Sequence, residues 1–254
     1  MSSKINILLN GCSGKMGRAV AQCVNEREDC KIVAGIDKIA SVDLGFPIFE
    51  SFEQFKGNAD VIIDFSHPGA IPALLEYAKQ KKTPVIIATT GLSEEEQALI
   101  HEVSKVIPVF FSANMSIGVS LLTQLAKMAT KVLGGSFDIE IVEMHHNQKI
   151  DAPSGTALML ANAIEEELSE KPDFVFERHS KRVKRGKNEI GIHAVRGGTV
   201  TGEHEIIFAG HDEIVSLRHS AGSKQIFAAG AVNAAIFLIG KEPGMYNMND
   251  LVSQ

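Results

Sequence analysis

The segment INILLNGCSGKMGRAV, residues 5–20, constrains the fold more than any other part of the chain. Its apolar run Ile5–Leu9 reads as a buried strand, its three glycines as a tight turn, and Lys15–Arg27 as a helix. A turn without side chains lets backbone N–H groups approach an anion, and the start of a helix adds partial positive charge. The spacing of Gly11, Gly14 and Gly17 is G-x-x-G-x-x-G, one residue longer than the G-x-G-x-x-G fingerprint, and glycines alone also serve plain helix–strand packing. Context carries the reading further. The next apolar run, Ile32–Ile36, ends at Asp37, twenty residues beyond Gly17, where a carboxylate accepts hydrogen bonds from an adenosine ribose. Lys38 is either a solvated lysine at a strand end or the cation that meets the extra phosphate of NADP.

The alternation continues through the first half, with strands expected at Val61–Phe65, Val85–Ala88 and Val109–Phe111 and helices at Ile71–Lys81 and Ser93–Val106. Strands this rich in Val and Ile suit a parallel sheet covered on both faces. Ser93 and Glu96 form a capping box. The fold class is therefore α/β, a Rossmann-like doubly wound parallel sheet. Two further strand-end loops, Ala88-Thr89-Thr90-Gly91 and Ser112-Ala113-Asn114-Met115, stand where a nicotinamide would lie; Thr and Asn can bond its carboxamide and Met115 can pack on its ring. As bare sequence they are also ordinary loops.

Beyond the loop SANMSIG the texture changes. Phe137, Ile139 and Ile141 alternate with Asp138, Glu140 and Val142, a pattern for a sheet with one covered and one partly polar face. A helix is expected at Ser154–Leu168, strands at Ile190–Val195, His204–Phe208 and Glu213–Arg218, and a small-residue helix at Gln225–Ile239. Together these make an α+β second domain, residues 116–224, while residues 1–115 with 225–254 form the dinucleotide-binding domain. No repeat or low-complexity tract is visible.

Composition excludes several classes of function. With 254 residues, 44% hydrophobic and 22% charged, the chain is an ordinary globular protein, and it has no long uncharged apolar run. Its start lacks a signal-peptide cleavage region, so a cytoplasmic location is expected. Cys12, Cys23 and Cys30 are odd in number and never spaced as CxxC, which reads as structural thiols. A formal net charge of −6 disfavours nucleic acid as partner. Six cations, Arg178, Lys181, Arg182, Lys184, Arg185 and Lys187, crowd a stretch without hydrophobic periodicity; it reads as a solvated loop before an anion-attracting rim.

The stretch Glu143–Ala157, EMHHNQKIDAPSGTA, concentrates donors for anionic groups. Ser154, Gly155 and Thr156 open a helix and resemble an anion cradle, although Ser154 alone would be a plain cap. Zinc is disfavoured, because adjacent histidines diverge on an extended chain and neither H-E-x-x-H nor a cysteine partner accompanies His145 and His146. No metal is expected.

Nearly the whole chain resembles the 4-hydroxy-tetrahydrodipicolinate reductases, also called dihydrodipicolinate reductases. The resemblance lies in NGCSGKMGR, DFSHP (64–68), ATTG (88–91), SANMSIGV (112–119), HHNQKIDAPSGTA (145–157), RGG and GEH between Arg196 and His204, and PGMYNMNDL near the end. It implies reduction of a cyclic imine dicarboxylate of the diaminopimelate and lysine pathway by NADH or NADPH, in a homotetramer whose second domain binds substrate and mediates assembly. By position, the resemblance makes His145 the proton donor or shuttle and Lys149 its partner acid. His146, Lys149, Ser154, Gly155 and Thr156 would hold the carboxylates. Gly11, Cys12, Ser13, Gly14, Lys15, Met16, Asp37, Lys38, Ala88, Thr89, Thr90, Ser112, Ala113, Asn114 and Met115 would line the cofactor site. Lys15 and Lys224 stand where the family usually has Arg, and Ala88 where it has Gly; charge survives, bidentate geometry does not. Two rivals are a nicotinamide reductase of another amino-acid pathway and a catalytically idle cofactor sensor. The intact pair of His145 and Lys149 beside the S-G-T turn speaks against the second.

Overall fold

A computed structural model describes residues 4–38 and 43–253. In chain order the first elements are β1 (Ile5–Asn10), α1 (Lys15–Asn25), β2 (Cys30–Ile36), β3 (Ile48–Phe49), β4 (Val61–Asp64), α2 (Ile71–Lys81), β5 (Val85–Ile87), α3 (Glu94–Ser104) and β6 (Pro108–Phe111). There follow α4 (Ile117–Leu133), β7 (Asp138–His145), α5 (Gly155–Glu165), β8 (Asp173–Val175), β9 (Glu189–Arg196), β10 (Gly202–Ala209) and β11 (Ile214–Ala221). The chain ends with α6 (Gln225–Leu238), β12 (Gly244–Tyr246) and α7 (Met248–Val252). It divides into two compact units, one of residues 1–117 with 224–254 and the other of residues 118–223, with residues 1–3, 39–42 and 254 outside the described set.

In the first unit all strand pairs are parallel, in the order β12-β6-β5-β4-β1-β2-β3. Because side chains alternate along a strand, each strand feeds two cores. Ile7, Leu9, Ile63, Ile86 and Phe110 pack with α1 and α6, whereas Leu8, Ile62, Val85, Ile87 and Val109 pack with α2 and α3. The Ser93–Glu96 capping box is formed at the start of α3, with three glutamates in its first turn. Strand β1 lies between β2 and β4, so the chain leaves it toward opposite halves of the sheet and a crevice opens at its carboxyl end.

The second unit is one mixed sheet, β11-β10-β7-β9-β8, antiparallel across β11-β10-β7 and parallel across β7-β9-β8. Ile139, Ile141, Ile190, Ile192, Ile206 and Phe208 face α4 and α5, whose Ala126, Ala157 and Ala161 permit close approach. Strand β7 runs on to His145, beyond the alternation visible in residues 137–142, because β10 pairs with it as far as Met144 and β9 as far as His145. The basic stretch is not wholly solvated. Arg178 pairs with Glu140 and Glu189, and Arg185 with Asp138 and Glu140, so these two guanidinium groups tie the loop to β7 and β9.

Gly17 and Gly230 are each set by backbone contact. A Cβ on Gly17 would lie 2.2 Å from Gly11 O, and one on Gly230 of α6 would lie 1.7 Å from Met115 O. At Gly14 the nearest atom is Gly11 O at 3.4 Å, with φ −70° and ψ 169° open to any residue. Gly17→Ala and Gly230→Ala are each expected to cost about 3 kcal/mol or more by overpacking, lowering the melting temperature by roughly 6 °C or more. Gly14→Ala should melt like the parent protein; calorimetry showing equal losses in all three would refute this.

Candidate functional site

The crevice of the first unit begins where β1 enters Gly11, whose φ of 75° and distance of 2.6 Å from a would-be Cβ to Phe65 O admit only glycine. Gly14 then caps α1 without a side-chain bond, no acidic residue stands in the first turn, and Lys15 is exposed beside it. A helix start so left open suits an anion. Asp37 follows β2, its N–H bonded to Phe49 O, and its carboxylate accepts the Ser13 N–H at 2.9 Å. The acid expected at the ribose therefore also braces the glycine turn. Gly11, Ser13, Gly14, Asp37 and Lys38 line a cavity of about 560 Å³, within the range of small-molecule sites. These residues fit a dinucleotide phosphate and ribose.

Phe65, Ser66 and His67 line the same cavity; the sequence reading named them in the motif DFSHP but not as site residues, although that motif marks a third strand-end loop on the same sheet edge. Beneath them Asp64 is fully buried and accepts from Asn10 Nδ2 (2.7 Å), Ser66 Oγ (2.6 Å), Ser66 N (3.2 Å) and Thr89 Oγ1 (2.7 Å). Burial pushes its carboxyl up, against hydrogen bonds from Ser66, Thr89 and Asn10 that favour the anion. Thr89 thus turns its hydroxyl inward, while Thr90 is exposed and Ala88 is buried. In the next loop Ser112 Oγ donates to Asn114 O and Ser116 N–H to Asn114 Oδ1, and Ala113 is exposed. The side chains of Cys12 and Met115 are core residues, packed with α1 and α6, so the surface these two positions offer is backbone.

In the second unit the donors gather around Glu143. This residue and His145 share one face of β7, and Glu143 has no exposure. Its Oε2 lies 2.6 Å from His145 Nδ1 and accepts from Arg196 Nη1 at 2.8 Å; Oε1 accepts from Arg196 Nη2 at 2.8 Å and Ser154 N at 2.9 Å. Burial alone would raise this carboxyl, but hydrogen bonds from Arg196, His145 and Ser154 outweigh it and hold the group below the usual carboxylate value. Ser154 caps α5, accepting the Ala157 N–H at 3.1 Å, and its Oγ is 3.1 Å from His204 Nε2. The His145 and His204 rings meet edge-on, 5.3 Å apart. Gly155 is exposed, and a Cβ there would meet nothing within 4 Å, which leaves open space before α5. Lys149 pairs with Asp151 at 2.8 Å, and Arg196 reaches the Asp151 carbonyl from the other side. His146, half-buried, follows the end of β7, and Thr156 lies in the first turn of α5.

His145, Lys149, Ser154, Gly155 and Thr156 thus fall within one strand end, one loop and one helix start. Glu143, Arg196 and His204 were not among the site residues read from sequence. The signal for Glu143 was its i, i+2 spacing from His145, which places both on one face of a strand.

Comparison with known proteins gives this arrangement a family. Residues 5–115 match the description "Dihydrodipicolinate reductase, N-terminus" and residues 118–252 "Dihydrodipicolinate reductase, C-terminus". The chain belongs to the dihydrodipicolinate reductase family of oxidoreductases. Among relatives in it, the 4-hydroxy-tetrahydrodipicolinate reductase of Caldanaerobacter subterraneus subsp. tengcongensis is 54% identical over 250 residues, covering 98% of this chain and 99% of that one. The enzyme of the same name from Clostridium novyi is 50% identical, covering 97% of each chain. The solved dipicolinate-bound dihydrodipicolinate reductase from Paenisporosarcina sp. TG-14 has a TM-score of 0.80 at 26% identity, over 96% of this chain and 98% of that one. A probable dehydrogenase from Thermotoga maritima, with a TM-score of 0.65 at 12% identity over 98% of this chain and 93% of that one, shares the fold alone.

Burial, and after it the neighbouring His145, push His204 down to about 4, with Glu143 opposing. In an unfolded chain a histidine titrates near ~6.5, so the unfolded state takes up this proton first as pH falls. Stability is therefore lost from about pH 6.5 downward until the folded value is reached, by roughly 3 kcal/mol in total. Urea unfolding at pH 7 and at pH 4.5 should show His204→Gln losing about 2–3 kcal/mol less than the parent between the two. An identical pH dependence in both proteins would rule this out.

Proposed function

We propose that the chain reduces the cyclic imine dicarboxylate derived from 4-hydroxy-tetrahydrodipicolinate to tetrahydrodipicolinate with NADH or NADPH, in diaminopimelate and lysine synthesis. The observation that carries the reading is a helix start, capped by Ser154 and open before Gly155, set beside a strand-borne His145 whose Nδ1 is engaged by a buried carboxylate. The relatives' shared name points to the same chemistry. When bound, the reduced nicotinamide supplies the hydride. The chain's own residues hold the ring and manage the proton.

In this reading unit 1 is the dinucleotide-binding domain. Gly11, Cys12, Ser13, Gly14, Lys15 and Met16 surround the pyrophosphate, Asp37 suits a ribose hydroxyl and Lys38 a 2′-phosphate, so both cofactors are accommodated. Ala88, Thr89, Thr90, Ser112, Ala113, Asn114 and Met115 serve the nicotinamide end, with Thr89 acting through its backbone because its hydroxyl is committed to Asp64. Unit 2 is the substrate and oligomerisation domain. Its S-G-T turn and His146 receive the carboxylates of the substrate, and His145 gives up or shuttles the proton. Lys149 exchanges Asp151 for a substrate carboxylate or supplies the acid. The protein works in the cytoplasm; no helix among the described residues is long and apolar enough to cross a membrane.

His145→Ala and Lys149→Ala are expected to lower kcat by about 10²-fold or more, the usual range for a positioned acid or base. His146→Ala should chiefly raise the KM for the dicarboxylate, and nicotinamide fluorescence titration should find cofactor affinity nearly unchanged in all three. A Lys149→Ala enzyme with normal kcat would overturn these roles.

The assembly is a homotetramer. Support comes from the outer face of the second sheet, where Val142, Met144 and Ile207 are only half-buried and Val195 and Ile214 exposed, interleaved with Glu203, Glu205 and Arg218. An uncovered face of this mixed character suits pairing between copies. Light scattering should return four times the mass of the chain, and a monomer throughout the micromolar range would refute it.

A further inference from the structure

We propose that Glu143, gripped by Arg196, is the positioning residue that sets the tautomer of His145 and ties it to the S-G-T turn. The inference rests on the reading of His145 as the proton-handling group. A buried carboxylate held ionised is an acceptor only, so the ring nitrogen 2.6 Å from its Oε2 must be the one that carries hydrogen. Neutral His145 therefore has Nδ1–H, and its Nε2 keeps the lone pair. That atom faces Gly202, where a Cβ would come within 3.1 Å of it. His145 delivers a proton only as an imidazolium, from Nε2, and returns to the Nδ1–H form with no other bond broken; Glu143 stabilises the cation while it lasts.

The second half of the coupling is the other oxygen. Glu143 Oε1 holds the Ser154 N–H, and Ser154 begins α5. One carboxylate thus aligns the proton carrier and the turn that receives the carboxylates. Arg196 keeps both oxygens in place by a bidentate pair and reaches the Asp151 carbonyl, which fixes the loop that carries Lys149.

Replacing Glu143 by Gln separates these two duties. With the amide oxygen toward Ser154 and Arg196 Nη2, the amide NH₂ faces Arg196 Nη1 and His145 Nδ1, a single donor–donor conflict once His145 switches tautomer to accept. Turned the other way, the NH₂ would oppose both Ser154 N–H and Arg196 Nη2. The first arrangement has fewer conflicts, so Glu143→Gln drives His145 to the Nε2–H form and leaves the turn intact.

The test combines ¹⁵N NMR of ring-labelled histidine with steady-state kinetics, the His145 signals being assigned by their loss in His145→Gln. In the parent protein, neutral His145 should show a protonated Nδ1 and an unprotonated Nε2; in Glu143→Gln the two should exchange. The kcat of Glu143→Gln should fall about 10²-fold or more, while the KM for the dicarboxylate stays within about threefold. Glu143→Asp, which keeps the acceptor, should restore the Nδ1–H signals and part of kcat. A parent protein with Nε2–H at neutral His145 overturns the proposal without any variant. Reversed tautomer with unchanged kcat overturns it while His145→Ala remains inactive, whereas a fully active His145→Ala strikes the underlying reading instead.

Discussion

Removing a carboxylate from water is tolerated only where donors replace the water, and each unit of this protein arranges its site around one such group. Asp64 gathers Asn10 from the end of β1, Ser66 from the end of β4 and Thr89 from the loop after β5. Glu143 gathers His145 from its own strand, Ser154 from the start of α5 and Arg196 from the end of β9. At Glu143, held below the usual carboxylate value by these bonds, removing any one donor would leave the rest to satisfy a charge without access to water, and at Asp64, whose carboxyl burial pushes up, it would leave a buried polar group short of a partner. The positions of the loops are therefore over-determined, which is what a site that must hold a ligand within about half an ångström requires.

In the first unit this carboxylate works together with backbone contacts. Gly11 can approach Phe65 O only because it lacks a side chain, and Asp64 fixes the residue that follows Phe65. Asp37 braces the opposite wall through Ser13. The glycine turn is thus held from two strands besides its own. Its open side is the helix start at Gly14, which no side chain caps and whose first turn holds no acidic residue.

How much of this was legible follows from where each partner sits in the chain. The strand–turn–helix of residues 5–25, the helix at Ile71–Lys81 and the box at Ser93–Glu96 depend on neighbours a few residues away, and periodicity and capping rules find such features. The two units divide between residues 117 and 118 and again between 223 and 224. Partners such as Glu143 and Arg196 are 53 residues apart and meet because His145 and Arg196 are opposed in the β7–β9 register, which no local pattern encodes. Arg178 and Arg185 were hidden for the same reason: their carboxylates lie on β7 and β9, so the cluster looked like a solvated run. Strands β3, β8 and β12, two or three residues each, are too short to show a period. Met115 illustrates a subtler limit, because a methionine in a strand-end loop looks the same whether its side chain turns to a ligand or, as here, to the core.

The distribution of unsatisfied polar atoms shows where stability has been given up. Among the described residues, the buried side-chain nitrogen and oxygen atoms without a hydrogen-bond partner are Arg196 Nε, His204 Nδ1 and His219 Nδ1, all in the second unit, and His204 and His219 are opposed on β10 and β11. Each such atom costs about 1–3 kcal/mol. An apolar pair at the two histidine positions would remove that cost, yet His204 touches both Ser154 Oγ and the ring of His145. A neutral imidazole there can accept from the Ser154 hydroxyl without adding a positive charge beside His145. The low value of about 4 at His204 and the unpaired Nδ1 are then two results of one arrangement, a polar but uncharged wall behind the His145 ring. An apolar replacement would leave the Ser154 hydroxyl at the start of α5 with only the Ala157 N–H and no acceptor for its own hydrogen.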